Sequence, residues 1–371
     1  MEDKVMLLDS SNSLVPEIEQ LDRFNCDAGN FYYPKTRYYG SKKRVIEWVL
    51  SLLQPLNYHT ILDAFGGTGL VSLSQKIAGK KVYYNEILKS SNYTAKSILA
   101  DHTAIEEKDI LEFCGSVVPN FGFISKKFQG FYYTDFENSW LDGAALSLKR
   151  YAGLKNVQLT HCLLQACLQK RPFNIFHRRN LNFRLNCNRN TKFGNWKTWE
   201  KTFQELMLDA VSELGKANFR GKHTVEFLEP SDASSISSVY DLVYLDPPYI
   251  SNGSGGQVDY LDRYHFLEGF VSYDTWPYLI DENSRIGNLK KSAGLYEWNR
   301  KSTFRDRLYS LVDAHKKSIV VLSYVSSGYP SQKDLISYFQ KKFKKVVVSS
   351  CKLNHVLSPG SKTEIIIIGL P

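Results

Sequence analysis

The run Leu242-Val243-Tyr244-Leu245 is apolar without alternation and stops abruptly at Asp246-Pro247-Pro248-Tyr249. Such a run reads as a strand buried inside a sheet. A buried central strand suits an open α/β sheet, and such sheets bind ligands at the carboxyl ends of their strands. The four residues at this end suit one task, gripping a planar heterocyclic amine. A carboxylate accepts a hydrogen bond from the amino group, and a proline lacks its N–H but keeps its carbonyl as a second acceptor. The tyrosine ring offers a face for stacking. Taken alone the pattern also describes an ordinary strand exit, because prolines end strands.

A second strand, Thr60-Ile61-Leu62-Asp63, runs into Ala64-Phe65-Gly66-Gly67-Thr68-Gly69, and Leu70 to Ile77 supplies a helix. Glycines there let the backbone turn sharply and approach a ligand. The spacing is not that of a dinucleotide fingerprint, and no Gly-Lys-Ser/Thr follows to make a phosphate loop. The next strand, Lys81 to Tyr84, ends in Asn85-Glu86. An acid at that tip can accept hydrogen bonds from both hydroxyls of a ribose; the plain alternative is an acid favoured near a helix start.

Upstream lies Arg37-Tyr38-Tyr39-Gly40-Ser41-Lys42, before an amphipathic helix expected over 44–53. This segment resembles the N-terminal motif of the Dam-type, α-class DNA adenine methyltransferases. Phe65-x-Gly67-x-Gly69 is similar to their glycine motif, and Asp246 to Tyr249 to their catalytic motif, in the order that marks the α class. The similarity covers residues 35–100 and 222–271, and Thr363-Glu364-Ile365-Ile366 fits the family's last strand. The resemblance implies a Rossmann-like α/β fold of about seven strands and S-adenosyl-L-methionine as methyl donor. Tyr38 and Lys42 then belong at the methionine end of the donor, with Asp63, Phe65, Gly67, Gly69 and Glu86 around its remainder. Glu86 departs from the more usual aspartate by one methylene. Asp232, after the strand Thr224 to Leu228, is the candidate for the donor's adenine, with a turn-forming aspartate as the alternative.

More than one hundred residues separate the second strand from Thr224, far beyond an ordinary crossover. The expected organisation is therefore a catalytic domain in two parts, 1–110 and 222–371, around a mainly helical insert, 111–221. Helices are expected over 138–150, 154–170 and 196–214. Residues 168–201 hold nine Lys/Arg against one acid, a net +8 in a chain whose total is +9, interleaved with aromatics and seven asparagines. Phosphates attract such cations, asparagine and arginine read base edges, and aromatic residues can wedge into a base stack. Arg171, Arg178, Arg179, Arg184, Arg189, Lys192 and Lys197 are the nucleic-acid candidates, against the alternative of a solvated basic face. A second aromatic-basic stretch, 120–133, is either a hairpin touching DNA or the base of the insert. Ser251 to Gly256 reads as a mobile lid or a plain loop, and His265 is a tempting base for which the chemistry has no need.

The six cysteines contain no Cys-x-x-Cys pair and no histidines at zinc spacing, which suits free thiols in a reducing compartment and a reaction without metal. No signal peptide is evident, and the longest apolar stretch, Ile365 to Leu370, is far too short to span a bilayer, so a cytoplasmic setting is expected. The expected activity is methylation of the N6 amino group of adenine in double-stranded DNA by a base-flipping monomer, as modification enzyme alongside a cognate restriction endonuclease. Methylation of cytosine N4, methylation of adenine in RNA, and a catalytically idle DNA-binding module remain as alternatives.

Overall fold

The computed structural model describes residues 4–9, 32–38, 40–186, 195–217, 219–251, 259–353 and 362–371. Among them eight strands form one sheet: β1 (Lys4–Asp9), β2 (Thr60–Asp63), β3 (Lys81–Tyr84), β4 (Glu226–Phe227), β5 (Leu242–Leu245), β6 (Ile319–Val325), β7 (Lys345–Leu353) and β8 (Lys362–Leu370). The spatial order is β1-β7-β8-β6-β5-β2-β3-β4. β4, β3, β2, β5 and β6 pair in parallel, whereas β8 lies antiparallel between β6 and β7. β1 extends the sheet beyond the seven or so strands expected, pairing antiparallel with β7.

Both faces of the sheet are covered, which explains why its central strands lack polar alternation. On one face Leu242 and Tyr244 of β5 and Ile366 and Ile368 of β8 pack with the helices Ile46–Leu53, Leu70–Ile77 and Lys89–Leu99. On the other, Val243 and Leu245, with Ile365 and Ile367, meet Phe304, Leu308, Leu335 and Phe339 from the helices Lys301–Ala314 and Gln332–Lys342. β2 sits where the order reverses, with β3 and β4 on one side and β5 and β6 on the other, so a crevice opens at the carboxyl ends of β2 and β5.

A separate apolar core holds the helical body. Its principal helices are Glu107–Gly115, Asp135–Leu148, Gly153–Gln169 and Phe203–Lys216. The core also takes in Leu88 and Ile105 before the expected boundary and Leu261, Phe266, Trp276 and Leu289 after the catalytic motif. The helix expected over 196–214 is broken, because Thr202 begins a new helix. The Thr202 hydroxyl accepts from Glu205 N at 3.2 Å and the Glu205 carboxylate accepts from Thr202 N at 2.7 Å, a reciprocal cap that starts a helix wherever it falls. In the 120–133 stretch Phe128, Tyr132 and Tyr133 are wholly buried in the base of the helical body, Phe121 is exposed, and Phe123–Lys127 forms a short helix where a hairpin was one expectation.

Glu137 joins much of this body. Its carboxylate caps its own helix by accepting from Thr134 N at 2.9 Å, takes the forked Arg184 guanidinium, and stands 3.0 Å from Lys170 Nζ. The Arg184 and Lys170 side chains are each only 3% exposed. Glu137→Ala would strand two buried cations, so the protein should lose about 3–5 kcal/mol of stability, the usual cost of breaking a buried pair. Chemical denaturation of the variant checks this.

Candidate active site

At the carboxyl end of β2, Asp63 is buried and accepts a 2.7 Å hydrogen bond from Ser72 of the following helix. Burial pushes its carboxyl up to about 7, although Ser72 opposes the shift. The turn that follows needs its glycines. A side chain on Gly66 would run into the Tyr84 ring, and Gly67 and Gly69 have φ of +52° and +81°. Gly69 is the cap from which the helix Leu70–Ile77 starts.

Glu86, beyond β3, faces this turn. It accepts from Gly67 N at 3.0 Å and from Leu88 N at 2.9 Å, and burial pushes it up to about 7 against those two bonds. Asn85 ties neighbouring strand ends together, donating to the carbonyls of Ala64 (3.0 Å) and Ser231 (3.1 Å).

The Asp-Pro-Pro-Tyr motif follows β5. The Asp246 carboxylate lies 3.0 Å from Lys42 Nζ, which reaches in from the segment before the first sheet-covering helix. The same ammonium contacts the Tyr249 hydroxyl, lies 4.7 Å from the centre of its ring, and is 3.1 Å from Glu364. Tyr249 donates to Glu364 at 2.7 Å and meets Tyr324 edge-on at 5.1 Å. Asp246 is pushed up to about 6 by burial, which Lys42 partly offsets and Glu364 reinforces. Burial opposes the charge on Lys42, but Asp246 and Glu364 together raise its pKa.

These groups share one cavity of about 770 Å³, lined among others by Tyr38, Lys42, Asp63, Phe65, Gly67, Glu86, Asp246, Pro247, Pro248 and Tyr249. Tyr38 is stacked on Tyr264 and Tyr260, at 5.0 and 5.9 Å, and reaches over Gly67. The N-terminal, glycine and catalytic motifs therefore meet at one place.

Asp232 is not among the lining residues. Its carboxylate accepts from Trp298 Nε1 at 2.7 Å and pairs with Arg307. Trp298 does line the cavity, edge-on to Phe65 at 5.1 Å, so Asp232 bears on the site only through that indole. The sequence reading overlooked Trp298 and Glu364. Trp298 lies far past the motif with no local signal, whereas Glu364 was legible as the single acid in the strand Lys362–Leu370.

The basic segment divides. Arg171 is 1% exposed, its guanidinium 4.4 Å from the Tyr132 ring centre and donating to the Arg178 carbonyl at 2.9 Å. Arg184 is consumed by Glu137. Neither can reach a phosphate, and both are withdrawn as nucleic-acid contacts, because their charges are spent holding the helical body together. Arg178, Arg179 and Lys197 are exposed. Arg189 and Lys192 lie outside the described residues, as do 252–256 of the expected lid. Phe173, 64% exposed, is held with Asn174 in the left-handed region, at φ +65° and +55°. His265 is buried, 2.9 Å from the Tyr132 hydroxyl, and has no place in the cavity.

A sheet whose neighbouring strand ends carry a glycine turn and Asp-Pro-Pro-Tyr around a common cavity defines an amino-methyltransferase. The model of the D12 class N6 adenine-specific DNA methyltransferases matches residues 38–268, and the chain belongs to that family. It is also similar to the Type II methyltransferase M2.HphI of Haemophilus parahaemolyticus, 24% identical over 246 residues that make up 65% of this chain and 72% of that protein. The chemistry is adenine-specific methylation of DNA, which sets aside the cytosine, RNA and idle-module alternatives. Among the described residues no helix is long and apolar enough to cross a membrane.

Asp246 accepts hydrogen bonds at both oxygens only when ionised, so kcat/KM should fall as pH drops through about 6. Protonation of Asp63 and Glu86, both near 7, steepens the same limb. Folded-state values above the usual unfolded values of about 4 mean that these groups favour the folded state more as pH falls from 7 toward 4. Activity should therefore be lost without a fall in melting temperature attributable to them. A flat pH–rate profile from 8 to 5 would contradict this assignment.

Proposed function

We propose that the enzyme takes its methyl group from S-adenosyl-L-methionine and transfers it to a flipped adenine in double-stranded DNA. The observation that carries this reading is the single cavity shared by the Asp63–Glu86 side and the Asp246–Tyr249 side. Its size is that of a site for one nucleoside-like molecule together with part of a second. The donor set fits: Glu86 stands where ribose hydroxyls would find an acceptor, Asp63 and Tyr38 border the turn, and Phe65 and Trp298 supply an aromatic wall. When bound, S-adenosyl-L-methionine supplies an electrophilic methyl on a sulfonium.

The chain's own residues do the rest. The Asp246 carboxylate and Pro247 carbonyl accept hydrogen bonds from the adenine amine. Those bonds direct its lone pair away from the ring, and positioning provides much of the acceleration. Tyr249, braced by Tyr324 and Glu364, presents its ring to the base. A base inside a duplex cannot reach this cavity without leaving the stack. Arg178, Arg179 and Lys197 are suited to phosphates, and exposed Phe173, in its strained backbone, to a wedge between bases. The likeness to a Type II methyltransferase supports service as the modification partner of a restriction endonuclease.

Labelled S-adenosyl-L-methionine incubated with unmethylated genomic DNA should place its label in N6-methyladenine. Asp246→Ala should reduce that incorporation by about a thousandfold or more while leaving calorimetric affinity for the donor within about threefold, the pattern for a group acting on the amine and not on donor binding. Retained turnover would remove Asp246 from the chemistry.

A further inference from the structure

We infer that Glu364 is a positioning residue for methyl transfer: it fixes the Tyr249 hydroxyl and keeps the Lys42 ammonium paired while Asp246 passes from that lysine to the target amine. The inference rests on Asp246 as the amine acceptor and deepens that reading.

Glu364 stands at the start of β8, ahead of Ile365 to Ile368, and is 9% exposed. A carboxylate in such a place is costly unless it is paired. One oxygen, Oε2, accepts from the Tyr249 hydroxyl at 2.7 Å and from Lys42 Nζ at 3.1 Å. Lys42, 7% exposed, thus has two carboxylate partners at nearly equal distance, Asp246 at 3.0 Å and Glu364 at 3.1 Å.

That sharing has a consequence for substrate entry. The ammonium already occupies a donor position on Asp246, where an amine must also donate. If Asp246 were its single partner, an incoming amine would have to leave a buried ammonium unpaired. With Glu364 present the lysine keeps a carboxylate throughout. Two carboxylate side chains to one lysine beside the cavity also favour the positive charge that develops on the amine as it is methylated.

The charged and titratable groups facing Asp246 are Lys42, Glu364 of β8, Tyr249 of its own loop, Tyr244 of β5 and Asp63 of β2. Those facing Glu364 are Lys42, Tyr249, Tyr244 and Asp246. Lys42 and Glu364 act on Asp246 with opposite sign, so their removal should move the acid limb of activity in opposite directions.

Single-turnover methyl transfer into duplex DNA between pH 5 and 9 tests this with Glu364→Gln, Glu364→Asp and Lys42→Met. Glu364→Gln should slow transfer about tenfold or more at pH 8 with donor affinity within about threefold. Its acid limb should move to lower pH, while that of Lys42→Met moves to higher pH, and Glu364→Asp should recover part of the rate. A Glu364→Gln rate within about twofold of wild type would overturn the inference. So would acid limbs that coincide with wild type in both charge variants, whatever the rates, since Lys42 and Glu364 would then not act on the group that limits transfer. Should Glu364→Gln fail to fold, Glu364→Asp decides by rate: transfer slowed about twofold or more at pH 8 supports the inference, and a wild-type rate overturns it. The nucleoside that wild-type enzyme labels reports on the proposed function, and the variant-to-wild-type ratios report on Glu364, so the two fail separately.

Discussion

The parallel pairing of β2 with β5 is the constraint on which the site depends. Ile61 lies opposite Leu242, Leu62 opposite Val243 and Asp63 opposite Tyr244, and Ala64 N extends the ladder to the Tyr244 carbonyl at 3.1 Å. This register brings the glycine turn and Asp-Pro-Pro-Tyr, almost two hundred residues apart in the chain, to the same end of the sheet. A slip of one residue would turn every side chain of β5 to the other face. Because both faces are packed against different helical layers, such a slip has no low-energy alternative, and the site inherits the rigidity of the core.

Among the described residues four carboxylates line this crevice, and in three of them, Asp63, Glu86 and Asp246, burial raises the pKa. Their charge is held in different ways. Asp63 has the Ser72 hydroxyl and backbone N–H and Glu86 has the backbone N–H groups of Gly67 and Leu88, whereas Asp246 has the ammonium of Lys42 and the Tyr249 hydroxyl. Backbone donors are fixed, but a lysine is a flexible point charge that can change partner. Asp63 and Glu86 are accordingly tied to a rigid frame, and Asp246 is held by a group able to yield. Preorganisation and exchange are divided between the two halves of one cavity.

In the insert, charge count and charge use diverge. Lys170, Arg171 and Arg184 sit in the most basic part of the sequence yet are buried, held by Glu137, by aromatic faces and by backbone carbonyls. A cation beside an aromatic ring gains from the ring's quadrupole when water is excluded, and arginine suits that role because its planar group stacks. Of the candidates among the described residues, Arg178, Arg179 and Lys197 are on the outside, and Arg179 lies against the Phe131 ring. A local excess of positive charge therefore overstates the electrostatic footprint toward DNA.

Short-range chemistry was readable along the chain. The apolar run of β5 and Ile365–Ile368 of β8, the glycine turn, and the helix Leu70–Ile77 each carry their own signal of spacing or turn residue, and three motifs in order pointed to the chemistry. The break at Thr202 was also written locally, in a reciprocal cap that periodicity alone passes over. Long-range pairing was not readable in this way. Whether Arg171 faces water or Tyr132, whether Asp232 meets a ligand or Trp298, and that Glu364 reaches Lys42 across 322 positions depend on which elements the sheet order makes neighbours. Hydrophobic spacing tells a residue which face of its own element it occupies, but the partner across the interface is set by packing, and burial, charge state and role follow from that partner.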